Sequence, residues 1–553
     1  MSRMTTNNIS KRLDEVFQAW NKSDAPGLIV GVALKEQAIY RRGFGLASIE
    51  HATANTPHTR MRIGSTSKHF TSLATLLLVE QGKVDIDKAV RTYLPELTAV
   101  SGDATLREMM LHTSGLRDSY DLPSILLHRG YPHMVSDGMG LEVSQRFNSK
   151  NYAPGERMVY CNNGYHLLSK VVERVSGETL GAFLKNHILN PLGMADTELL
   201  PSDIQITPGI ATLHLPQPDG SYIRGIYPSG ELLGSGGMVS TVDDMLKWLV
   251  HLRGEKKVGS KRSWKQMLEK PRYSSGASGD YCLGLTREFY RGVEIIHHAG
   301  AVLGGTCQML TVPQHALDII IMCNRMDGSA PALALKVIDA VLDKSVLDAP
   351  NNPLPARKWK ALHGQWYSPG SHRVFGVHAH PQAGNTEPVL ALSIHNAVSG
   401  VLKKSGKRLA INNPGHGVVE LHLPKTLGKN LKSLDISDSG HRERFVRLPQ
   451  AVANAKQIFK DLPGRYRYDD FDTEVEITLE DGSYYLDLLP IYGKCRFKLD
   501  PWSDEVFGGS LTGTSFIPLP ANVTLAIERK AGKVRGLWLN NLRTRNLWLE
   551  RCG

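Results

Sequence analysis

Ser65-Thr66-Ser67-Lys68 sets a hydroxyl and an ammonium three residues apart, and no other S-x-x-K tetrad occurs in the chain. On a helix, positions i and i+3 share a face, so the ammonium reaches the hydroxyl. A helix start also supplies backbone N–H groups and a positive dipole end, which stabilise an alkoxide or oxyanion. A buried lysine with a lowered pKa can take the serine proton. The plainer reading of the tetrad is a helix start capped by Ser65. Tyr160-Cys161-Asn162 is the sole Y-x-N; it follows the loop Ala153-Pro154-Gly155 and precedes a helix at 163. A loop tyrosine beside a lysine can act as a phenolate or relay a proton between nucleophile and leaving group. Taken alone, it is as readily a tyrosine that closes a loop. Cys161 reads as a spacer. His298-Ala299-Gly300 follows the strand pattern VEIIH, and a glycine there lets a substrate backbone approach a sheet edge; an edge histidine without a role is the alternative. His128-Arg129-Gly130 also fits H-x-G, but no strand pattern precedes it.

These residues need elements to hold them. Residues 27–34 and 38–46 read as a hairpin joined by Lys-Glu-Gln. Ser67–Gln81 has helical apolar spacing and stops at Gly82. Residues 163–177 and 241–254 read as helices, the second with Thr241 as N-cap and acidic residues in its first turn. Strand patterns return at 293–298, 306–312 and 317–323, and a helix follows over about 331–346. Strands at both ends with helices between predict one α/β unit whose sheet is closed by distant segments. Cys323, in the run IIIMC, reads as a small buried hydrophobe.

LDAPNNPLPARK (347–358) reads as a linker. Beyond it, two stretches open alike, with Gly364-x-Trp366 and Gly464-x-Tyr466, and end alike, with RERFVRL (442–448) and RNLWLER (545–551). They predict two tandem all-β repeats of about 90–100 residues each. Pattern alone does not separate barrel from sandwich.

At 553 residues the chain suits about three domains, and its 41% apolar and 22% charged content is that of a globular protein. The net charge of +11 first suggests nucleic acid or an anionic membrane. It is not spread evenly: residues 351–450 hold 14 basic and 5 acidic side chains, while residues 451–553 hold 14 of each. No aromatic interleaving accompanies the excess, so no nucleic acid partner is expected. The basic block reads as a solvated face or a docking surface for a partner subunit, as in a homodimer. No apolar run approaches the ~20 residues of a membrane span. The start, MSRMTTNNISKRLDEVFQAW, lacks the pattern of a signal peptide, so a cytoplasmic location is expected. The six cysteines form no C-x-x-C pair, and the histidines of 351–450 have no carboxylate or cysteine at ligand spacing. Neither a metal nor a cofactor is therefore expected.

The order S-x-x-K, Y-x-N, H-x-G is far more specific than any one motif. With Leu111-His112-Thr113-Ser114-Gly115-Leu116, Pro191-Leu192-Gly193-Met194 and Gly236-Gly237-Met238-Val239-Ser240-Thr241, it resembles the serine β-lactamase/penicillin-binding superfamily, in its class C β-lactamase-like branch. The resemblance covers roughly residues 10–345 and implies an α/β (α+β) transpeptidase-like catalytic domain over 1–346. The layout is similar to bacterial D-stereospecific aminopeptidases, which implies two small antiparallel lipocalin-like barrels, over 359–450 and 455–553.

The resemblance implies Ser65 as acylated nucleophile, Lys68 as its base and Tyr160 as proton shuttle. It implies that Asn162 bonds Lys68 or the substrate amide, and that the N–H groups of Ser65 and Ala301, beside Gly300, form the oxyanion hole. His298 stands where β-lactamases and D,D-carboxypeptidases carry the lysine of K-T-G. A largely neutral histidine there suits a substrate carboxylate or β-lactam poorly. The expected activity is a metal-free serine hydrolase cleaving small amides or peptides, with release of N-terminal D-amino acids. A carboxylesterase on the same residues and a non-catalytic relative are the alternatives. In the aminopeptidases a loop of the last barrel helps recognise the substrate amine through an acidic residue. The corresponding loop here is read as Gly508–Gly513, which holds no carboxylate, with Asp504 and Glu505 just upstream.

Overall fold

The computed structural model describes residues 6–119, 139–227, 230–382, 386–413, 417–425, 427–428, 431–449, 452, 459–488, 495–512 and 522–552. An antiparallel sheet is drawn from both ends of the catalytic region. Its strands are β1 (Leu28–Leu34), β2 (Gln37–Phe44), β3 (Thr286–Tyr290), β4 (Val293–Val302), β5 (Gly305–Val312) and β6 (Leu317–Cys323), in the order β3-β4-β5-β6-β1-β2. β6 joins the two ends, with Leu28 opposite Cys323 and Leu34 opposite Leu317. Lys35 and Glu36, both at positive φ, make the two-residue turn between β1 and β2.

β6 is apolar almost throughout because both faces of the sheet are covered. Ile320 and Met322 pack on one side with Phe70 and Trp248, from α2 (Lys68–Glu80) and α4 (Val242–Arg253). Ile319 and Ile321 pack on the other with Leu13 and Val337, from α1 (Thr6–Phe17) and α5 (Ala330–Val341). α3 (Asn162–Ser176) lies against α2 and ends at Gly177 in the left-handed conformation. No helix among the described residues is long and apolar enough to cross a membrane.

Both repeats are antiparallel sheets. In the first, nine strands between Gly364 and Arg447 form one sheet whose end strands, Ala397–Val401 and Lys403–Ser405, are joined by the single buried residue Leu402. The sheet therefore curls back on itself as a nearly closed barrel. The second is a closed barrel of eight strands between Gly464 and Arg551.

Two local expectations are corrected. Strand β4 does not stop at His298 but runs through Ala299 and Gly300 to Val302. A Cβ at Gly300 would lie 1.9 Å from the Ile63 carbonyl oxygen, so glycine is what lets the strand pass that close to the serine turn. Gly508–Thr512 is not a loop but part of a barrel strand, Val506–Thr512. Ser510 in it accepts a bond from Asn396 Nδ2 of the first repeat at 3.1 Å, so this segment faces the junction between the repeats. Asp504 and Glu505 line a recess there with Tyr367 and His372. Gly513 lies outside the described residues, as does His128-Arg129-Gly130.

Candidate active site

Within residues 61–70 only Ser65 is not buried. It sits in a 3₁₀ turn, Gly64–Ser67, that leads directly into α2, and it does not cap that helix. The turn is fastened on two sides. Thr66 Oγ1 donates to the His298 carbonyl of β4 at 3.2 Å. Ser67 Oγ donates to Gly64 O at 2.7 Å and accepts from Met238 N at 3.1 Å. Gly64 holds φ +52°, and a Cβ there would lie 2.9 Å from Ala301 N. The Ala301 backbone therefore lies directly against the serine turn, at the stretch of β4 beyond its last pair with β3, Thr286–His297.

Lys68 is fully buried, and its Nζ lies 3.0 Å from Ser65 Oγ and 2.9 Å from Asn162 Oδ1, with Ser235 O as a third close partner. A neutral amine has two N–H groups and one lone pair. The two carbonyl oxygens take the N–H groups, which leaves the lone pair for the serine O–H. Burial pushes the Lys68 ammonium well below 10.5, and the Arg543 guanidinium pushes the same way. Asn162 is set in place by its own N–H, which donates to buried Asp118 Oδ2 at 2.6 Å.

Tyr160 closes the other side. Lys68 Nζ lies 4.8 Å from its ring centroid, and its buried Oη makes no complete hydrogen bond. Burial raises its phenol, against the smaller opposite pulls of Ser65 and Arg543. The phenol is thus held neutral, which removes the phenolate option and keeps the relay. Burial likewise raises the Cys161 thiol, which fits a spacer and not a nucleophile.

The His298 ring is hydrogen-bonded to Tyr281 and to the Ala299 carbonyl. The Cys161 N–H donates to His112 Nδ1 (3.1 Å), so His112 carries its proton on Nε2, facing Tyr281 Oη at 3.1 Å. Tyr281 then donates to His298 Nε2 (2.9 Å), and His298 Nδ1–H donates to Ala299 O (2.6 Å). One tautomer for each ring satisfies the whole buried chain. Burial first, and the neighbouring Lys68 whenever it is protonated, lower His298 to about 3. His298 is therefore a neutral, buried ring hydrogen-bonded at both nitrogens.

A cation enters from elsewhere. The hairpin between the last two barrel strands, Lys533–Asn540 and Leu547–Arg551, brings the Arg543 guanidinium carbon within 5.3 Å of the Tyr160 ring centroid. The expectation that the site suits a substrate carboxylate poorly rests on position 298 alone and does not include this arginine.

A family model described as Beta-lactamase matches residues 11–342. The chain belongs to the beta-lactamase family. Within that family it is similar along nearly its whole length to D-aminopeptidases. It is 24% identical to that of Brucella canis over 537 residues, covering 95% of this chain and 94% of the other. It is 25% identical to that of Brucella anthropi over 536 residues, with the same coverage. Among solved structures, the octameric penicillin-binding protein homologue from Pyrococcus abyssi superposes with a TM-score of 0.55 at 20% identity, over 80% of this chain and 100% of that one. SurE superposes with a TM-score of 0.53 at 19% identity, over 99% of each chain. At these identities the structural likeness is one of fold.

The expected residues Ser65, Lys68, Tyr160 and Asn162 thus converge, with Gly300 and Ala301 against the serine turn. The reading missed Tyr281, Ser235, Asp118 and Arg543. None carries a local pattern in the sequence. His112 enters the sequence reading only as part of the segment Leu111–Leu116.

Proposed function

We propose that this beta-lactamase-family protein is a serine hydrolase that acts through an acyl-enzyme on Ser65 and releases N-terminal D-amino acids from small amides or peptides. The observation that carries this is the fully buried Lys68 amine, 3.0 Å from Ser65 Oγ, with its other partners both acceptors. In acylation, Ser65 Oγ bonds to the carbonyl carbon and its proton passes to Lys68. The oxyanion is held by the N–H groups of Ser65 and Ala301. The C–N bond then breaks, and the departing nitrogen takes the proton through Tyr160 O–H, which recovers one from Lys68. Water repeats the sequence on the ester. The similarity to D-aminopeptidases along 95% of the chain supports the D-aminoacyl class.

The test has two parts. A fluorescent phosphonate should label wild-type protein and not Ser65→Ala; an unlabelled, folded wild type would point to a non-catalytic relative. D-alanine p-nitroanilide, its L enantiomer and p-nitrophenyl butyrate should then be assayed together. The D-anilide is expected to lead; a leading butyrate ester would make the protein a carboxylesterase. Lys68→Met should lower kcat by ~10²–10⁴.

A further inference from the structure

Arg543 is put in place by contacts that reach across the chain. Asn151 Nδ2 donates to the Arg543 carbonyl at 3.0 Å, and Asn151 Oδ1 accepts from Arg545 N at 2.9 Å. Arg117, 2% exposed, donates to the carbonyls of Arg545 (3.1 Å) and Asn546 (3.3 Å). Inside the hairpin, buried Asn541 accepts from Arg543 N (2.9 Å) and Thr544 N (2.6 Å). The backbone of the tip is therefore pinned, while the Arg543 side chain is partly exposed beside Tyr160. That tyrosine ring lies between two basic side chains, with Lys68 Nζ 4.8 Å and the Arg543 guanidinium carbon 5.3 Å from its centroid. A guanidinium is the side chain best shaped to hold a carboxylate at two points.

Building on the reaction proposed above, we infer that Arg543 binds a carboxylate on the leaving-group side of the scissile bond, so that preferred substrates are short peptides ending one residue past that bond. The side follows from Tyr160. It passes the proton to the departing nitrogen, and Arg543 stands against Tyr160. In a dipeptide the carboxyl carbon is two bonds beyond that nitrogen. Arg543 would be a specificity residue carried by the second barrel, and would supply the cation that His298 does not.

The pair D-alanyl-D-alanine and D-alanyl-D-alaninamide tests this on the full chain. Wild type should favour the acid in kcat/KM by ~10-fold or more, the scale of a charge-assisted contact. Arg543→Gln should bring the acid-to-amide ratio near 1, and Arg543→Lys should keep part of it. Calorimetry in the Ser65→Ala background reads the same preference as binding, apart from turnover. Equal affinity for acid and amide there would overturn the inference, even if D-alanine p-nitroanilide is cleaved. A preference for the acid without any hydrolysis would keep the inference and overturn the proposed reaction. A further overturning result is an Arg543→Gln variant that shifts the pH profile of both peptides alike and leaves their ratio unchanged; Arg543 would then act only on Lys68.

Discussion

The two β repeats share a frame at matched positions, yet among the described residues it is the second that brings a side chain against Tyr160. Trp366 and Tyr466, both fully buried, plug equivalent positions in their first strands. Each donates to a leucine carbonyl four residues upstream, Trp366 Nε1 to Leu362 at 2.9 Å and Tyr466 Oη to Leu462 at 2.5 Å. Each is covered by an arginine of the last strand, Arg447 at 4.6 Å and Arg551 at 5.7 Å from the ring centroid. The difference lies in the closing hairpin. In the first repeat it turns in two residues, Ser439-Gly440, and rests on Tyr273 through Gly440. In the second it takes six, Asn541–Asn546, and reaches Tyr160. A barrel frame tolerates such a change because the hairpin lies outside its core. One repeat can therefore act as a wall and its neighbour as part of the site.

The strongest way to break this comparison is to remove the two plugs. Trp366→Ala and Tyr466→Ala should each cost ~3–5 kcal/mol of stability in their own repeat. Calorimetry with parallel assays should show activity lost with the second repeat and largely kept with the first. Equal loss would mean that both repeats support the site alike.

Next is the anchor of the long hairpin. Arg117→Met leaves the carbonyls of Arg545 and Asn546 without their donor and should cost ~2–3 kcal/mol. It should also reduce the acid-to-amide preference assigned to Arg543. A stability loss with that preference intact would separate the anchor from the site.

The short hairpin is fastened differently. Glu443 accepts from Arg157 (3.1 Å) and Ser371 (2.6 Å) and lies 3.0 Å from His441 Nε2. Burial opposes its charge, but His441, Arg373 and Arg157 together outweigh burial and hold the carboxyl well below its usual range. A lowered carboxyl contributes stability that is present above the unfolded-state pKa, ~4.3, and is lost as pH falls toward the folded value. Glu443→Gln should therefore cost ~1–2 kcal/mol at pH 7, and the deficit in Tm should shrink below about pH 4. The Arg117 guanidinium bonds to the hairpin carbonyls of Arg545 and Asn546 and not to a carboxylate, so Arg117→Met should show no such fading. A Glu443→Gln deficit that stays constant down to pH 3 would refute the charge account.

The smallest effect concerns Lys68. Because the amine works when neutral, kcat/KM should rise with pH through a midpoint well below 10.5. Arg543→Gln removes one positive neighbour, so that midpoint should move up, by ~1 unit or less. A downward move would contradict the placement of Arg543.

Much of the site was legible because its parts are local. Ser65 and Lys68 are neighbours on one turn, and Tyr160 and Asn162 flank one residue at the mouth of α3. The repeats were legible because strand period and plug positions recur. The extent of β4 was not, since only the close pass under Ile63 explains why Gly300 stays within a strand. The loop reading at Gly508–Gly513 followed order along the repeat, but residues 508–512 lie in a strand and Gly513 lies outside the described residues. Strand order alone does not say which end of a barrel faces its neighbour.

The sequence by itself determined that Ser65 and Lys68 share one turn, that Tyr160 and Asn162 flank the start of α3, and that two β repeats follow the first region, because short-range spacing on helices and strands specifies them. The tertiary structure decided the charge of the site. Burial lowers Lys68 and keeps Tyr160 and His298 neutral, the Tyr281–His112 chain assigns the proton of His298, and a hairpin 383 residues beyond Tyr160 brings in the arginine. Desolvation and long-range contacts set these properties, and neither leaves a local pattern in the chain.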